Sequence, residues 1–308
     1  SPRGESTGHI TFPLEAMTSV DGRPMISALE MLLGPDRLFE GGSSDSKLKN
    51  LMELSRKEQN EVSNRLAEQV LEALWILVRG FDEAEQRSRD LGKTVFYGLL
   101  EKDPSQVYGG LLTILLRLVF LLYSEDEELM PKDSLYSQNY SVSGLAARLR
   151  KDRSEFQSEM ESRRGAWASL LSLFRLVYDG GGPYESYLPA RHGDLFDPDV
   201  FPFLEGRDFS SSYKNQKLEN IPDVSDDSVE KILSKLLILN GQILSYRSLD
   251  VEQIGSVYES IMGFTVQKAK GESVGIIHRP QRQKINITIV VNAEKILSIE
   301  SSKREKAL

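Results

Sequence analysis

Apolar side chains recur every three or four positions along most of this chain, and every second position only near its C-terminus. The helical period is clearest where Leu66, Val70, Leu74, Leu77, Val78 and Phe81 share one face, after an RKEQNE run that reads as a solvated face. This predicts a long helix over residues 46–81, with Gly80 fraying or bending its end. Residues 24–39 predict a short helix with Met25, Leu29, Leu32 and Leu33 on a face, followed by a glycine–serine linker over 41–46. Further helices are expected over 90–100, 105–123, 142–150, 165–178 and 228–239. The 105–123 segment is apolar nearly all round, which places it at the centre of a helical core. In 165–178 the stripe is Trp167, Leu170, Leu171, Phe174 and Val177, and Gly180, Gly181, Gly182 and Pro183 stop it. In 228–239 it is Val229, Ile232, Leu233, Leu236 and Leu237.

Residues 244–264, LSYRSLDVEQIGSVYESIMGF, read as a capped amphipathic helix. Asp250 supplies the cap and Gln253 the returning half of a capping box, because the first N–H groups of a helix lack internal partners. Val251, Ile254, Val257, Tyr258, Ile261 and Met262 form its apolar face, and Gly263 ends it. Beyond it the period changes to two, and the β-branched runs 273–278 and 285–291, separated by RPQRQK, predict two strands. Residues 184–222 are rich in proline, glycine, serine and aspartate, and are expected to pack across the helices through Leu195, Phe196, Phe201 and Phe203. The expected fold class is mainly α, a multi-helix bundle-like body with a small β hairpin or sheet near the C-terminus. Three divisions follow: an extended start with a short helix (1–45), a helical domain carrying the long loop (46–265), and a small β element (266–308).

Three stretches also carry a family resemblance, in a fixed order. Residues 116–131, LRLVFLLYSEDEELMP, resemble a helix with an R-x-x-F-x-L-Y-A-E-D pattern, with Ser124 at the alanine position. Residues 188–204, LPARHGDLFDPDVFPFL, resemble a loop with N-G-G-L-F at its centre, where this chain has His192, Gly193 and Asp194 before Leu195 and Phe196. The 244–264 stretch resembles the segment leading into the catalytic domain of large adenine-specific DNA methyltransferases. That group includes single-chain type II restriction–modification enzymes and the methylases of the BREX and DISARM phage-defence systems. The opening, PRGESTGHITF over 2–12, is similar to sequence that in such proteins follows an upstream nuclease-like domain. The resemblance implies a helical connector of a restriction or phage-defence enzyme, with duplex DNA, a nuclease-like domain and a methyltransferase domain as its neighbours. It implies S-adenosyl-L-methionine as the parent's cofactor, none being expected to bind this chain. The alternative is a free-standing helical interaction subunit of a defence complex, with the 184–222 loop as its partner surface. The length of the native gene separates the two.

Composition narrows these options. A length of 308 residues suffices for about two domains without staples, and the absence of cysteine removes disulfides and thiolate metal sites, which suits a reducing cytoplasm. The longest apolar run, residues 111–123, is interrupted by Arg117 and falls short of the ~20 residues of a membrane span. A formal charge of −8 disfavours DNA binding by this chain alone.

Catalytic chemistry finds little footing. A methyltransferase needs a glycine-rich turn after its first strand and an N-P-P-Y-like grip on the flipped base, and neither is present. Gly181-Gly-Pro-Tyr184 follows a helix and lacks the leading Asn or Asp. Gly271-Glu-Ser273-Val-Gly275 matches a nucleophile pattern but is followed by strand residues instead of a helix. His9, His192 and His278 are too far apart for a metal-ligand pair. Gly92-Lys93-Thr94 lacks the strand of a phosphate loop, and Asp36 with Asp45 and Lys47 falls on a helix end and a linker. No catalytic, cofactor or metal residue is therefore assigned. Of two basic clusters, Arg148, Arg150, Lys151 and Arg153 are interleaved with Asp152, Glu155 and Glu159 and read as a salt-bridged helix face. Arg279, Arg282 and Lys284 crowd a loop free of acids and are the candidate phosphate contacts.

Overall fold

The computed structural model describes residues 12–20, 22–38, 48–90, 96–184, 187–208, 212–214, 220–239, 241–249, 255, 259, 271–278 and 287–298. The chain is mainly α, with two small antiparallel two-stranded sheets among these residues. It divides into two compact units, residues 1–61 and 62–308.

In the first unit, α1 (Leu14–Met17) precedes α2 (Arg23–Leu33) and α3 (Pro35–Leu38). The single helix expected over 24–39 is thus broken at Gly34, whose ψ of 157° is extended. Pro35 is the cause: its ring disfavours a helical residue before it, and it has no N–H to donate back. The apolar face of α2 forms, yet none of its residues is buried, and Met25 and Leu33 are 38% and 44% exposed.

The second unit is built around α4 (Leu48–Asp90), of which residues 62–90 belong to it, and α6 (Pro104–Asp126), with α5 (Phe96–Lys102) between them in sequence. The expected end of α4 near Phe81 is corrected, because the helix runs through Gly80 to Asp90. Gly80 has a packing role: a Cβ there would lie 3.2–3.3 Å from Ser228 and Val224. The face of Leu66, Val70, Leu74, Leu77 and Phe81 is buried. Asp103 caps α6 by accepting the N–H groups of Ser105 and Gln106, and Pro104 fills a position where a missing N–H costs nothing. By length and composition α6 passes for a membrane span, but 67% of its most apolar window is buried inside the protein. It is a core helix.

Next come α7 (Ser134–Asn139) and α8 (Val142–Phe156), capped by Asp133 and Ser141, then α9 (Ala166–Asp179) and α10 (Asp226–Leu237), the latter capped by Ser225. Gly180, Gly181 and Gly182 all take positive φ, the conformation that stops α9 at the expected place. The helix expected over 228–239 stops earlier, since Ile238–Leu239 forms β1 and pairs with β2 (Gln242–Ile243) across Gly241 at φ +77°. β3 (Ser273–His278) and β4 (Ile287–Asn292) pair antiparallel in the register Ser273↔Asn292 to His278↔Ile287, and α11 (Ala293–Leu297) follows. Of the capped helix expected over 244–264, Gly255 and Glu259 are helical, whereas residues 244–249 instead carry a 3-10 turn at Tyr246–Ser248; its other positions, Asp250 and Gln253 among them, and the opening residues 2–11 lie outside the described residues.

The long loop packs as expected. Phe196, Phe203 and Leu204 are buried, while Leu195 and Phe201 are half-buried against the same core. Phe203 joins Phe81 and Trp167, whose rings meet edge-on at 5.2 Å, and the Trp167 indole N–H donates to the Leu204 carbonyl at 3.3 Å. On α6, Gly109 leaves room for the Phe201 ring and Gly110 for that of Phe203: a Cβ on Gly110 would lie 2.5 Å from the Phe203 ring.

Candidate functional site

Charged groups stand at both ends of the R-x-x-F-x-L-Y-S-E-D run of α6, Arg117 at one and Glu125 and Asp126 at the other. Arg117 breaks the apolar run and is only 3% exposed, so its five donors need acceptors inside the protein. The 188–204 stretch provides them: Nε donates to the Leu195 carbonyl at 2.5 Å and Nη2 to the Asp197 carbonyl at 3.1 Å. The rings of Phe174 and Phe196 flank the guanidinium at 5.3 and 5.8 Å. Burial pulls the Arg117 pKa down to about 10, against the opposing pull of Glu205 and Asp197. The group therefore remains cationic at neutral pH.

Glu205 is the carboxylate centre nearby. It is buried, accepts both Nε and Nη2 of Arg175 at 2.6 Å, and accepts Nε of the equally buried Arg207 at 2.7 Å. Arg207 reaches Asp199 at 2.9 Å, and Asp199 in turn accepts the Tyr213 N–H at 2.9 Å. Arg175 lies over the Tyr213 ring at 4.4 Å, and the Tyr213 hydroxyl donates to Asp179 at 2.7 Å. Arg117 and Arg175 thus fasten the long loop onto α6 and α9, and Arg207 braces the loop against itself.

At the other end of the run, Glu125 accepts the N–H groups of Val142 and Ser143 at 2.7 and 3.0 Å, the Ser143 hydroxyl at 2.7 Å and the Tyr136 hydroxyl at 3.2 Å. Burial pushes its pKa up despite these four donors. Asp126 accepts the Tyr246 N–H at 2.6 Å and the Ser245 hydroxyl at 3.3 Å. Arg117 therefore holds the 188–204 stretch and Asp126 the start of the 244–264 stretch, so the three segments singled out in sequence meet on one helix. Their ionic chemistry is architectural: each charge is spent on a carbonyl, an N–H or an opposite charge of this same chain. Sequence reasoning missed Arg117, Arg175, Glu205 and Arg207 as a group. The available signal was Arg117 itself, a cation inside a 13-residue apolar run.

The remaining candidates fall as follows. Arg279, Arg282 and Lys284 lie outside the described residues; the strands that bracket them are the described β3 and β4. The other basic cluster is salt-bridged, but across elements: Arg153 pairs with Asp227 at 2.6 Å and Glu230 at 2.5 Å, both on α10, and Asp152 pairs with Arg163 at 3.2 Å. Arg148 donates to the Gln138 carbonyl at 2.6 Å. Ser273 opens β3 and its hydroxyl donates to the Gly271 carbonyl, so no strand-to-helix turn presents it as a nucleophile. His192 stands at φ +50° with its ring edge-on to Tyr178. Among the described residues, no group of three His, Cys, Asp or Glu side chains is placed to hold a metal ion. A cleft of about 380 Å³ lies between α4 and the start of α10, where Arg79, Arg87 and Lys231 face Glu83, Glu161 and Asp227. Its charges balance. Comparison of the chain with family models, with curated proteins and with solved structures finds no match.

Proposed function

We propose that this chain is the helical connector of an S-adenosyl-L-methionine-dependent, adenine-specific DNA methyltransferase of restriction–modification or phage-defence type. It spaces an upstream domain from the methyltransferase domain and helps hold duplex DNA while the target base is flipped. The observation that supports the reading is the α6 hub: the three stretches that resemble this family are bound to one another by Arg117 and Asp126. Residues engaged in this way act as a frame, which is the work of a connector and not of a catalytic domain. Methyl transfer belongs to the domain that follows, and the protein works in the cytoplasm, where its DNA is.

The interaction-subunit reading draws less support, because the loop it would use as a partner surface spends Phe196, Phe203 and Leu204 on its own core. The deciding experiment is to read the open reading frame. A glycine-rich cofactor motif and an N-P-P-Y-type motif are expected downstream in the same polypeptide, and a stop codon directly after Leu308 in the native gene would remove the connector reading.

A further inference from the structure

Among its described residues, the first unit buries no large apolar side chain. No residue of α2 is buried, and Leu14, Val20, Met25, Ile26, Leu33 and Leu38 are between 38% and 80% exposed. With successive residues about 100° apart, Met25, Ile26, Leu29, Leu32 and Leu33 fall within an arc of about 120°, and both charged residues of α2, Arg23 and Glu30, lie outside it. A helix of 11 residues is marginal in water on its own, and burial of its apolar face is what holds such a helix. At the usual size of these side chains, the six exposed ones present about 600 Å² of surface, at the upper end of the ~300–600 Å² of the largest apolar patch on a monomer. Two such surfaces joined bury about 1,200 Å², which reaches the ~1,200–2,000 Å² of a stable specific interface.

We propose that this face is a dimer interface, occupied by α2 of a second copy of the chain. An antiparallel pairing about a two-fold axis at Leu29 sets Met25 of each copy opposite Leu33 of the other, and Ile26 opposite Leu32. The charge-free arc then meets itself, as a two-fold interface requires, and no like charges are brought together. A membrane fits the face less well. Helices that lie in a bilayer surface are rich in lysine and arginine on the polar side, whereas α2 has one arginine and one glutamate, and acids outnumber bases over residues 12–38. The inference does not rest on the connector reading, since every residue it uses belongs to the first unit.

Sedimentation of the full chain tests this. Wild type is expected to be a dimer at about 10 µM, since interfaces of standard size hold at micromolar or lower concentration. Leu29→Glu places two like charges at the axis and is expected to weaken the dimer about 100-fold, giving a monomer at the same concentration. Ser27→Glu, on the opposite side of α2, is expected to leave the dimer intact. A second measurement does not depend on the helix tolerating a charge. The chain has no cysteine, so Leu29→Cys carries its only thiol, and a short bis-maleimide is expected to join two copies through position 29 and not through Ser27→Cys. A wild type that stays monomeric overturns the proposal: its flotation with phosphatidylglycerol vesicles would assign the face to a membrane, and no flotation would assign it to a different protein. A dimer that survives Leu29→Glu, or equal cross-linking from both positions, also overturns it, because the copies then meet elsewhere.

Discussion

Glu205 has both carboxylate oxygens engaged, by Arg175 and by the buried Arg207. Removing one member of such a group leaves the others charged in a poorly solvated site, which costs about 3–5 kcal/mol. Glu205→Ala is therefore expected to lower the denaturant midpoint by that amount of stability with an unchanged slope. Lys235→Ala, whose ion pair with Glu72 is on the surface, should stay within about 1 kcal/mol of wild type. Equal effects from the two substitutions would mean that the Glu205 group is hydrated. At Glu125 the sign of the pH dependence is diagnostic. Burial raises its folded pKa above the unfolded value, so its contribution is fully present below the unfolded pKa and is lost as pH rises through the folded one. The stability of wild type relative to Glu125→Gln should accordingly decrease as pH is raised from about 4 to 7, read from thermal midpoints of both proteins. An increase would show that the four donors outweigh burial.

At the scale of elements, glycines report how closely helices are approached. Gly98 in α5 has nothing within 4 Å of where a Cβ would stand, whereas the Cβ of a residue at position 110 would enter the Phe203 ring. Gly98→Ala should stabilise the protein by up to about 1 kcal/mol through helix propensity. Gly110→Ala should destabilise it by about 1–3 kcal/mol through overpacking, partly offset by the same propensity gain. Chemical denaturation of the pair decides, and a stabilised Gly110→Ala would mean that the long loop does not lie on α6. The period of the longer helices was legible in the sequence, down to the glycine stop of α9 and the change to an alternating period at residue 273, whereas the short α1 and α7 were not anticipated. Its ends were less so. α4 continues through Gly80 because Ser228 and Val224 of a distant segment fill the space its side chain leaves, and local pattern has no access to that. The break at Gly34 was open to local reasoning, through the restriction that Pro35 places on its predecessor.

For the whole molecule, the connector reading carries two expectations. The isolated chain should give no saturable S-adenosyl-L-methionine isotherm by calorimetry, and a micromolar stoichiometric one would reveal a site of a kind not found among the described residues. In the full-length parent, replacing Arg279, Arg282 and Lys284 by alanine should weaken binding to all DNA sequences alike and lower the salt slope by up to ~3 units, with target preference retained. An unchanged slope would assign the cluster to solubility or to pairing with acidic residues. The amino-acid sequence by itself determined the mainly helical class, the central place of α6, the packing role of Phe196 and Phe203, and the hairpin near the C-terminus. These follow from periodicity and capping, which act over a few residues. Only the tertiary structure decided that Arg117 meets Leu195 and Asp197, that Arg175 and Arg207 share Glu205, and that Asp126 holds Tyr246. Most of those partners are 30 to 120 residues apart. Which charge finds which acceptor depends on how helices pack, and packing is fixed by the summed burial of the core, not by any local pattern.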